Sequence, residues 1–412
     1  MPHDRIEALL RAEIAALATS GRLKGKETVV AGIVPAADGK GPRYLIEGEG
    51  DRPFIRMNSN GYLGLSTIKA VRETEESAVG RFGTGPGAVR FIGGTWSPHV
   101  ALERRLAAFH GREAAMAYSS AYAAVMGVLL PLIDPETAVI SDALNHNSII
   151  NAVRLAQPRE KRVYRHLDPD HLEQELKAAA RQCRRAIVVT DGVFSMRGDH
   201  APLGDIVGLA KSYDSAFAEN VLVVVDDSHG VGAFGATGRG TEEFTASGPV
   251  DVLIGTLGKA FGVNGGYVAT TQTIVDYLRE TSPFYIYSNP IAPGEAAAAG
   301  KSIDIVDGPE GKRLLGHLGA MKRRFEDGLT RLGLETIAGS HPITPLMVRD
   351  TAKTAAVVDH LRRNGVLATG LNFPVVPKGD QEIRFQISAD HTPLDIDETL
   401  AILADLPPSA RA

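Results

Sequence analysis

Val221-Leu222-Val223-Val224-Val225-Asp226-Asp227-Ser228-His229-Gly230 is the stretch from which the rest of the chain can be ordered. Its first five residues are aliphatic without polar alternation, the pattern of a strand buried on both faces. Runs of the same kind lie on either side: Ala186-Ile187-Val188-Val189-Thr190 before it, Val252-Leu253-Ile254 and Gly266-Tyr267-Val268-Ala269 after it. A helical pattern over 203–213 stands between the strands at 186 and 221. Short apolar runs separated by helices predict an α/β fold around a mainly parallel sheet. Each run ends in a polar cluster. In open α/β sheets ligands sit beyond the carboxyl ends of the strands, so these clusters are expected to converge on one site.

Further out, 97–110 is helical in pattern, with Leu102 and Leu106 on one face. Toward the N-terminus, Ile6, Leu9, Leu10, Ile14 and Leu17 recur at helical spacing and predict an amphipathic helix lying on the main body. Segment 25–55 reads as a connecting arm with a short strand at Tyr44-Leu45-Ile46. Beyond Pro293 helical patterns (296–306, 314–332, 354–363) alternate with strand candidates (344–348, 382–387), the texture of a smaller α+β domain. The expected division is 1–55 as helix and arm, 56–295 as the large domain and 296–412 as the small C-terminal domain.

Composition narrows the function classes. The 412 residues are 44% hydrophobic and 23% charged, an ordinary globular balance. The 44 glycines exceed the usual share of about 7% and announce tight turns and close backbone approaches. A net charge of -5 argues against a nucleic-acid or anionic-membrane partner. The single cysteine, Cys183, permits no intrachain disulfide and no thiol-based metal site, which fits a reducing compartment. No apolar run reaches the roughly 18 residues of a membrane span. The segment Met1 to Arg22 carries Asp4, Glu7 and Glu13, unlike a secretory signal, so the cytoplasm is the expected compartment, and no metal is expected.

The strand ends carry the chemistry. Asp226 follows a buried strand, where a carboxylate needs a cation to stay ionised; an N-cap or surface turn is the plainer alternative. His229, three residues on, is either a core histidine or a donor to a ligand. After Val252-Leu253-Ile254 comes Gly255-Thr256-Leu257-Gly258-Lys259-Ala260-Phe261-Gly262. A lysine among glycines and apolar residues is poorly solvated, which lowers its pKa and makes the amine a nucleophile toward carbonyls. A snorkelling surface lysine is the alternative. A phosphate loop is excluded because Ala260, not Ser or Thr, follows Lys259. Asp191-Gly192-Val193-Phe194-Ser195 and Ser141-Asp142-Ala143-Leu144-Asn145-His146-Asn147-Ser148 are the remaining polar clusters. Gly83-Thr84-Gly85-Pro86-Gly87 has the wrong spacing for a dinucleotide fingerprint. A reactive lysine preceded by a strand-end carboxylate, with a histidine between them, suits pyridoxal phosphate. The lysine forms the Schiff base and the carboxylate keeps the pyridine nitrogen protonated.

Taken together, the chain resembles the α-oxoamine synthase family of fold-type I pyridoxal-phosphate enzymes from about Asn58 to His391. The resemblance rests on Asn60-Gly61-Tyr62-Leu63-Gly64-Leu65, Gly93-Gly94-Thr95 with His99, the segments 141–150, 191–199, 226–232 and 255–266, and Ser288-Asn289. The strings ISDALNHNSII, TDGVFSM, VDDSHGVG, GTLGKA and PVVPKG are most similar to its glycine C-acetyltransferase branch.

The resemblance implies a seven-stranded-type sheet in the large domain and a homodimer with shared active sites. It implies that Lys259 holds the cofactor and moves protons at the substrate α-carbon, and that Asp226 pairs with the pyridine nitrogen. His229 and Ser195 would bond the phenolic oxygen and His146 would stack on the ring. Backbone amides of Ala121 and Tyr122, with the Thr256 hydroxyl, would hold the phosphate, and Ser288 would reach the neighbouring subunit's phosphate. Asn60 and Arg384 would bind the amino-acid carboxylate, a task that suits the planar Arg fork. The implied reaction joins an amino acid, expected to be glycine, to an acyl-CoA with release of CoA. An 8-amino-7-oxononanoate synthase-like reaction with a longer donor and loss of the carboxylate is the first alternative. An aminotransferase or aldolase is the second, and a catalytically silent partner subunit the third. The chain departs from the family at Gly85-Pro86-Gly87-Ala88-Val89-Arg90, where a Gly-Ser-Gly-Gly-Ser-Arg type loop is usual, at Val125, where an Asn is usual, and at Gly61, where the acetyltransferases have a second Asn.

Overall fold

The buried runs form one sheet. In the computed structural model, which describes residues 3–20, 22–23, 26–373 and 375–407, its strands are β1 (Ala114–Tyr118), β2 (Thr137–Asp142), β3 (Glu160–Tyr164), β4 (Arg185–Asp191), β5 (Val221–Asp226), β6 (Val252–Thr256) and β7 (Gly266–Thr270). Their spatial order is β1-β7-β6-β5-β4-β2-β3. Neighbours from β6 to β3 are parallel; β7 alone is antiparallel, to β6 and to β1. This is the seven-stranded, mainly parallel sheet of the fold-type I transferases.

The pleat explains why the runs show no alternation. Ala138, Ile140, Ala186, Val188, Val223, Val225 and Leu253 join a core on one face of the sheet. Val139, Ile187, Val189, Val224, Val252, Ile254 and Val268 join a core on the other. Each large aliphatic side chain removed from water contributes about 1.5–3 kcal/mol, so both faces must be covered by helices. The helix Ala121–Leu132 covers the second face with Ala123 to Leu129 buried, and Leu203–Tyr213 covers the first through Leu203, Ile206 and Val207.

Strands β1, β2 and β3 fall outside the runs read from the sequence. β1 is Ala-Ala-Met-Ala-Tyr, too poor in β-branched residues to signal a strand. β3 is an edge strand whose Lys161 and Val163 are exposed, and its charges protect an unpaired edge.

Two compact units divide the chain. One comprises Asn60–Ala320 with Gly339–Pro342 and contains the large sheet. The other comprises Met1–Ser59, Met321–Ala338 and Ile343–Ala412. In this second unit strands Val30–Val34, Arg43–Ile46 and Pro53–Arg56 form an antiparallel meander, and Val366–Leu367 adds in parallel to Pro53–Arg56. A separate antiparallel sheet is ordered Ile343–Met347, Glu382–Gln386, Thr369–Leu371. Arg43 and Asp395 form a buried ion pair at 2.6 Å, and Asp395 also accepts from the backbone N–H of Gly41.

The N-terminal segment forms the expected helix, Asp4–Thr19, but none of its residues is buried. Its Ala, Leu, Glu and Arg content sustains a helix by propensity, and the apolar residues Ile6, Leu9, Leu10, Ile14 and Leu17 are exposed. Met1, Pro2, and Pro374 of the PVVPKG string lie outside the described residues. No described helix is long and apolar enough to cross a membrane, and no described cluster of His, Cys, Asp or Glu could hold a metal.

Candidate active site

Parallel strands that end at the same level present their next residues to a common space. β2, β4, β5 and β6 end at Asp142, Asp191, Asp226 and Thr256, and the loops that follow enclose one pocket. Lys259, Asp226, His146, His229, Ser195, Ala121 and Tyr122 all line it. These residues span more than a hundred positions of sequence, yet each sits just past a strand of the same sheet edge or at the start of the helix after β1.

Lys259 stands in a turn built on buried supports. Leu257, Ala260 and Phe261 are buried around it. The N–H of Leu257 donates to the Gly265 carbonyl (2.9 Å), and that of Gly262 to the Lys259 carbonyl (3.0 Å). The amine is thus carried on a rigid support into the pocket. Asp226 is buried, and its Oδ1 accepts from the N–H of Ser228 at 3.1 Å. His229 Nδ1 pairs with the Tyr62 hydroxyl at 2.8 Å, and Tyr62 in turn donates to Asn60 Oδ1 at 3.3 Å. The His229 carbonyl accepts from Nε2 of buried His341 at 2.8 Å.

His146 caps the helix Asn147–Ala156. Its Nδ1 accepts from the N–H of Ser148 at 3.2 Å and meets the Ser148 hydroxyl at 2.7 Å. Burial holds its pKa below the ordinary value; Asp226 pulls upward and Lys259 adds to the lowering. Burial thus favours the uncharged form of the ring.

On the far wall the helix Ala121–Leu132 begins, with Ser120 capping it by accepting from the N–H of Ala123. A helix N-terminus of this kind attracts anions. Strand β7 runs close beneath: a Cβ on Gly266 would lie 2.3 Å from the Ala121 nitrogen, so only glycine lets the helix start there.

Other expected site residues lie elsewhere. The Thr256 hydroxyl donates to the Gly265 carbonyl at 3.2 Å and accepts from the N–H of Gly258 at 3.1 Å. Ser288 is half-buried and is not among the lining residues. Asn60 reaches the site through Tyr62. Arg384 is buried in the strand Glu382–Gln386 of the other compact unit.

Four lining residues carried no role in the sequence reading: Ser148, Asp191, Val193 and Ser228. Asp191 is the most informative. Its Oδ2 accepts from the N–H of His146 at 3.1 Å, while Oδ1 is buried with no partner among the described residues. Burial and then the adjacent Asp226 charge push its pKa well above the usual carboxylate range. Its position at the end of β4, in register with Asp226, is the signal that could have found it.

The donor set fits pyridoxal phosphate. An amine for the aldehyde, a strand-end carboxylate for the ring nitrogen, a flat imidazole and a helix N-terminus for the phosphate face one space. Asp191 and Ser228, whose buried Oδ1 and Oγ have no hydrogen-bond partner among the described residues, line it as well.

Comparison with known proteins agrees. Residues 52–403 match the family described as aminotransferase class I and II. The 8-amino-7-oxononanoate synthase of Thermosipho melanesiensis is 39% identical over 362 residues, 88% of this chain and 89% of its own. The mitochondrial 2-amino-3-ketobutyrate coenzyme A ligase of Mus musculus is 36% identical over 404 residues, 98% of this chain and 93% of its own. The serine palmitoyltransferase of S. paucimobilis, solved with bound PLP–myriocin, superposes with a TM-score of 0.85 at 26% identity, covering 98% of each chain. The chain belongs to the aminotransferase class I and II family of fold-type I enzymes. Within it, the chain is a pyridoxal-phosphate-dependent C-acyltransferase of the α-oxoamine synthase type.

Proposed function

We propose that the protein condenses glycine with an acyl-CoA to give a 2-amino-3-oxo product, as a glycine C-acetyltransferase does. The observation that carries the reading is the convergence of Lys259, Asp226, His146 and His229 on one pocket at the sheet edge, beside a helix N-terminus. Bound pyridoxal phosphate supplies the electron sink for the substrate α-carbon. The chain's own residues do the rest. Lys259 Nζ would hold the cofactor and would take the proton from the substrate α-carbon. The Asp226 carboxylate keeps a proton on the ring nitrogen. His229 and Ser195 hold the phenolic oxygen, and His146 stacks on the ring. The amides of Ala121 and Tyr122, with Thr256, hold the phosphate; Asn60 and Arg384 take the amino-acid carboxylate.

A homodimer with shared sites, in which Ser288 serves the neighbouring phosphate, belongs to the same reading. It is supported by apolar side chains left in solvent: Phe91 is 66%, Ile92 67% and Tyr287 80% exposed. The cytoplasm is the proposed compartment, consistent with the single buried Cys183.

A second reading, a longer acyl donor with loss of the carboxylate, is favoured by the similarity to 8-amino-7-oxononanoate synthases at 39–41% identity. The departure at Gly61, where the acetyltransferases carry Asn, belongs to the same reading. The deciding experiment is a panel of acyl-CoA and acyl-carrier-protein donors against several amino acids, with thiol release and product mass measured. Glycine with acetyl-CoA should give thiol release and a product that keeps its carboxylate. Thiol release from no donor would overturn the acyl-transfer reading. Borohydride should trap the cofactor on wild type and not on Lys259→Ala.

A further inference from the structure

Two walls of the pocket, the His146 turn and the Ser195 turn, are joined from behind by a residue outside the lining. His166 follows β3. Its Nδ1 lies 2.9 Å from Asp142 Oδ1 and its Nε2 lies 3.2 Å from Asp199 Oδ2. Carboxylates of ionised aspartates only accept, so a ring that satisfies both must donate from both nitrogens. Its edge also meets the Phe194 ring at 4.4 Å between centroids.

Each aspartate anchors a site-bearing turn. Asp142 ends β2 and opens the turn to His146: its Oδ1 also accepts from the N–H of Leu144 at 2.8 Å, and its Oδ2 from that of Leu167 at 3.1 Å. Leu167 is held at φ +55, a conformation rare for a branched residue, which shows how firmly this corner is determined. Asp199 closes the turn that carries Ser195: its carbonyl accepts from the N–H of Phe194, and its carboxylate also accepts from Arg197 Nε at 3.2 Å.

We infer that His166 is a positioning residue whose doubly protonated ring ties the turn of His146 to the turn of Ser195, and so sets the spacing of the pocket walls that grip the cofactor. The inference rests on the roles proposed above for His146 and Ser195. The charged groups that face the ring are Asp142 from β2 and Asp199 from the loop after β4, with Arg197 behind Asp199; the neighbouring Arg165 turns to Asp168 instead. Burial by itself would lower the His166 pKa, but the two carboxylates outweigh it and push it up to about 9. A raised histidine pKa adds stability that is complete below its ordinary value of about 6.5 and is lost as pH rises through about 9.

The test uses the full-length chain. In 15N-histidine-labelled apoprotein near pH 7.5, both His166 nitrogens should carry protons, and a neutral ring would overturn the inference. His166→Gln should weaken PLP binding, read by absorbance titration, at least about tenfold near pH 7.5. The wild-type-to-variant affinity ratio should fall toward one near pH 10, which cancels the contribution of Lys259 titration common to both. Asp199→Asn, which keeps the size and removes the charge, should weaken binding in the same direction by less. An unchanged dissociation constant in both variants, with wild type binding PLP, sinks this inference alone. A wild type that binds no PLP sinks the active-site assignment, while the ring's protonation still decides whether the clamp exists.

Discussion

At the end of β5 two adjacent carboxylates have opposite surroundings. Asp226 lines the pocket; Asp227 points into protein, 1% exposed, and accepts from the N–H and the hydroxyl of Thr241, both at 2.7 Å. A Cβ on Gly230 would lie 2.1 Å from its Oδ1, so the cavity around this carboxylate is shaped by glycine. Burial drives the Asp227 pKa up to about 7, against the pull of the Thr241 bonds. Because the folded pKa lies above the unfolded one, the contribution is full below about pH 4 and is lost as pH rises toward 7. Between about pH 5 and 7, wild type should lose on the order of 2–3 kcal/mol relative to Asp227→Asn. Urea unfolding of both chains across that range checks it, and a difference independent of pH would refute it. A run of aliphatics followed by Asp-Asp announces a carboxylate at a strand end, but which of the two faces the ligand is decided by the pleat and register of the neighbouring strands. Asp191 likewise reads along the chain as a polar residue after a buried run, but only the pairing of β4 with β5 sets it beside Asp226.

Among the elements, the helix Ser97–His110 is pinned to the sheet by one buried charge. Glu103 accepts from Arg90 at 2.9 and 3.1 Å, from Arg279 at 3.0 Å and from the N–H of Ala117 in β1 at 3.0 Å. Burial would raise its pKa, but the two guanidinium groups prevail and hold it below the usual value. Glu103→Ala leaves Arg90 buried without its partner and should cost about 3–5 kcal/mol in denaturant unfolding of the apoprotein. A cost under about 1 kcal/mol would show that the ion pair merely balances its own desolvation. At the opposite wall, Gly266→Ala should displace the start of the helix Ala121–Leu132, costing about 1–3 kcal/mol and raising the PLP dissociation constant. Stability loss with unaltered PLP affinity would separate packing from phosphate binding. Strands β4 to β7 were legible because uniform aliphatic runs have one physical use, burial on both faces. β1 and β3 were not: alanine has weak strand preference, and an edge strand carries charges that read as surface.

For the whole molecule, the exposed apolar residues Phe91, Ile92 and Tyr287 and the unburied N-terminal helix are the surfaces on which the proposed dimer is tested. Light scattering should give twice the chain mass. Phe91→Glu with Ile92→Glu should shift it toward the monomer and weaken PLP binding, whereas a monomeric wild type with full PLP affinity would contradict shared sites. The sequence by itself determined the sheet class, the positions of the buried strands β4 to β7 along the chain, and which lysine, carboxylate and histidines are proposed for the site. These follow from patterns local enough to be read along the chain: uniform burial, polar strand ends, and an amine among apolar neighbours. Only the tertiary structure decided that Val366–Leu367 pairs with Pro53–Arg56, joining arm and C-terminal segment in one unit. It alone placed Asp191 beside Asp226, brought Tyr62 to His229, and set His166 between Asp142 and Asp199. Those contacts depend on strand register and loop closure between distant segments, and neither is encoded in any local stretch.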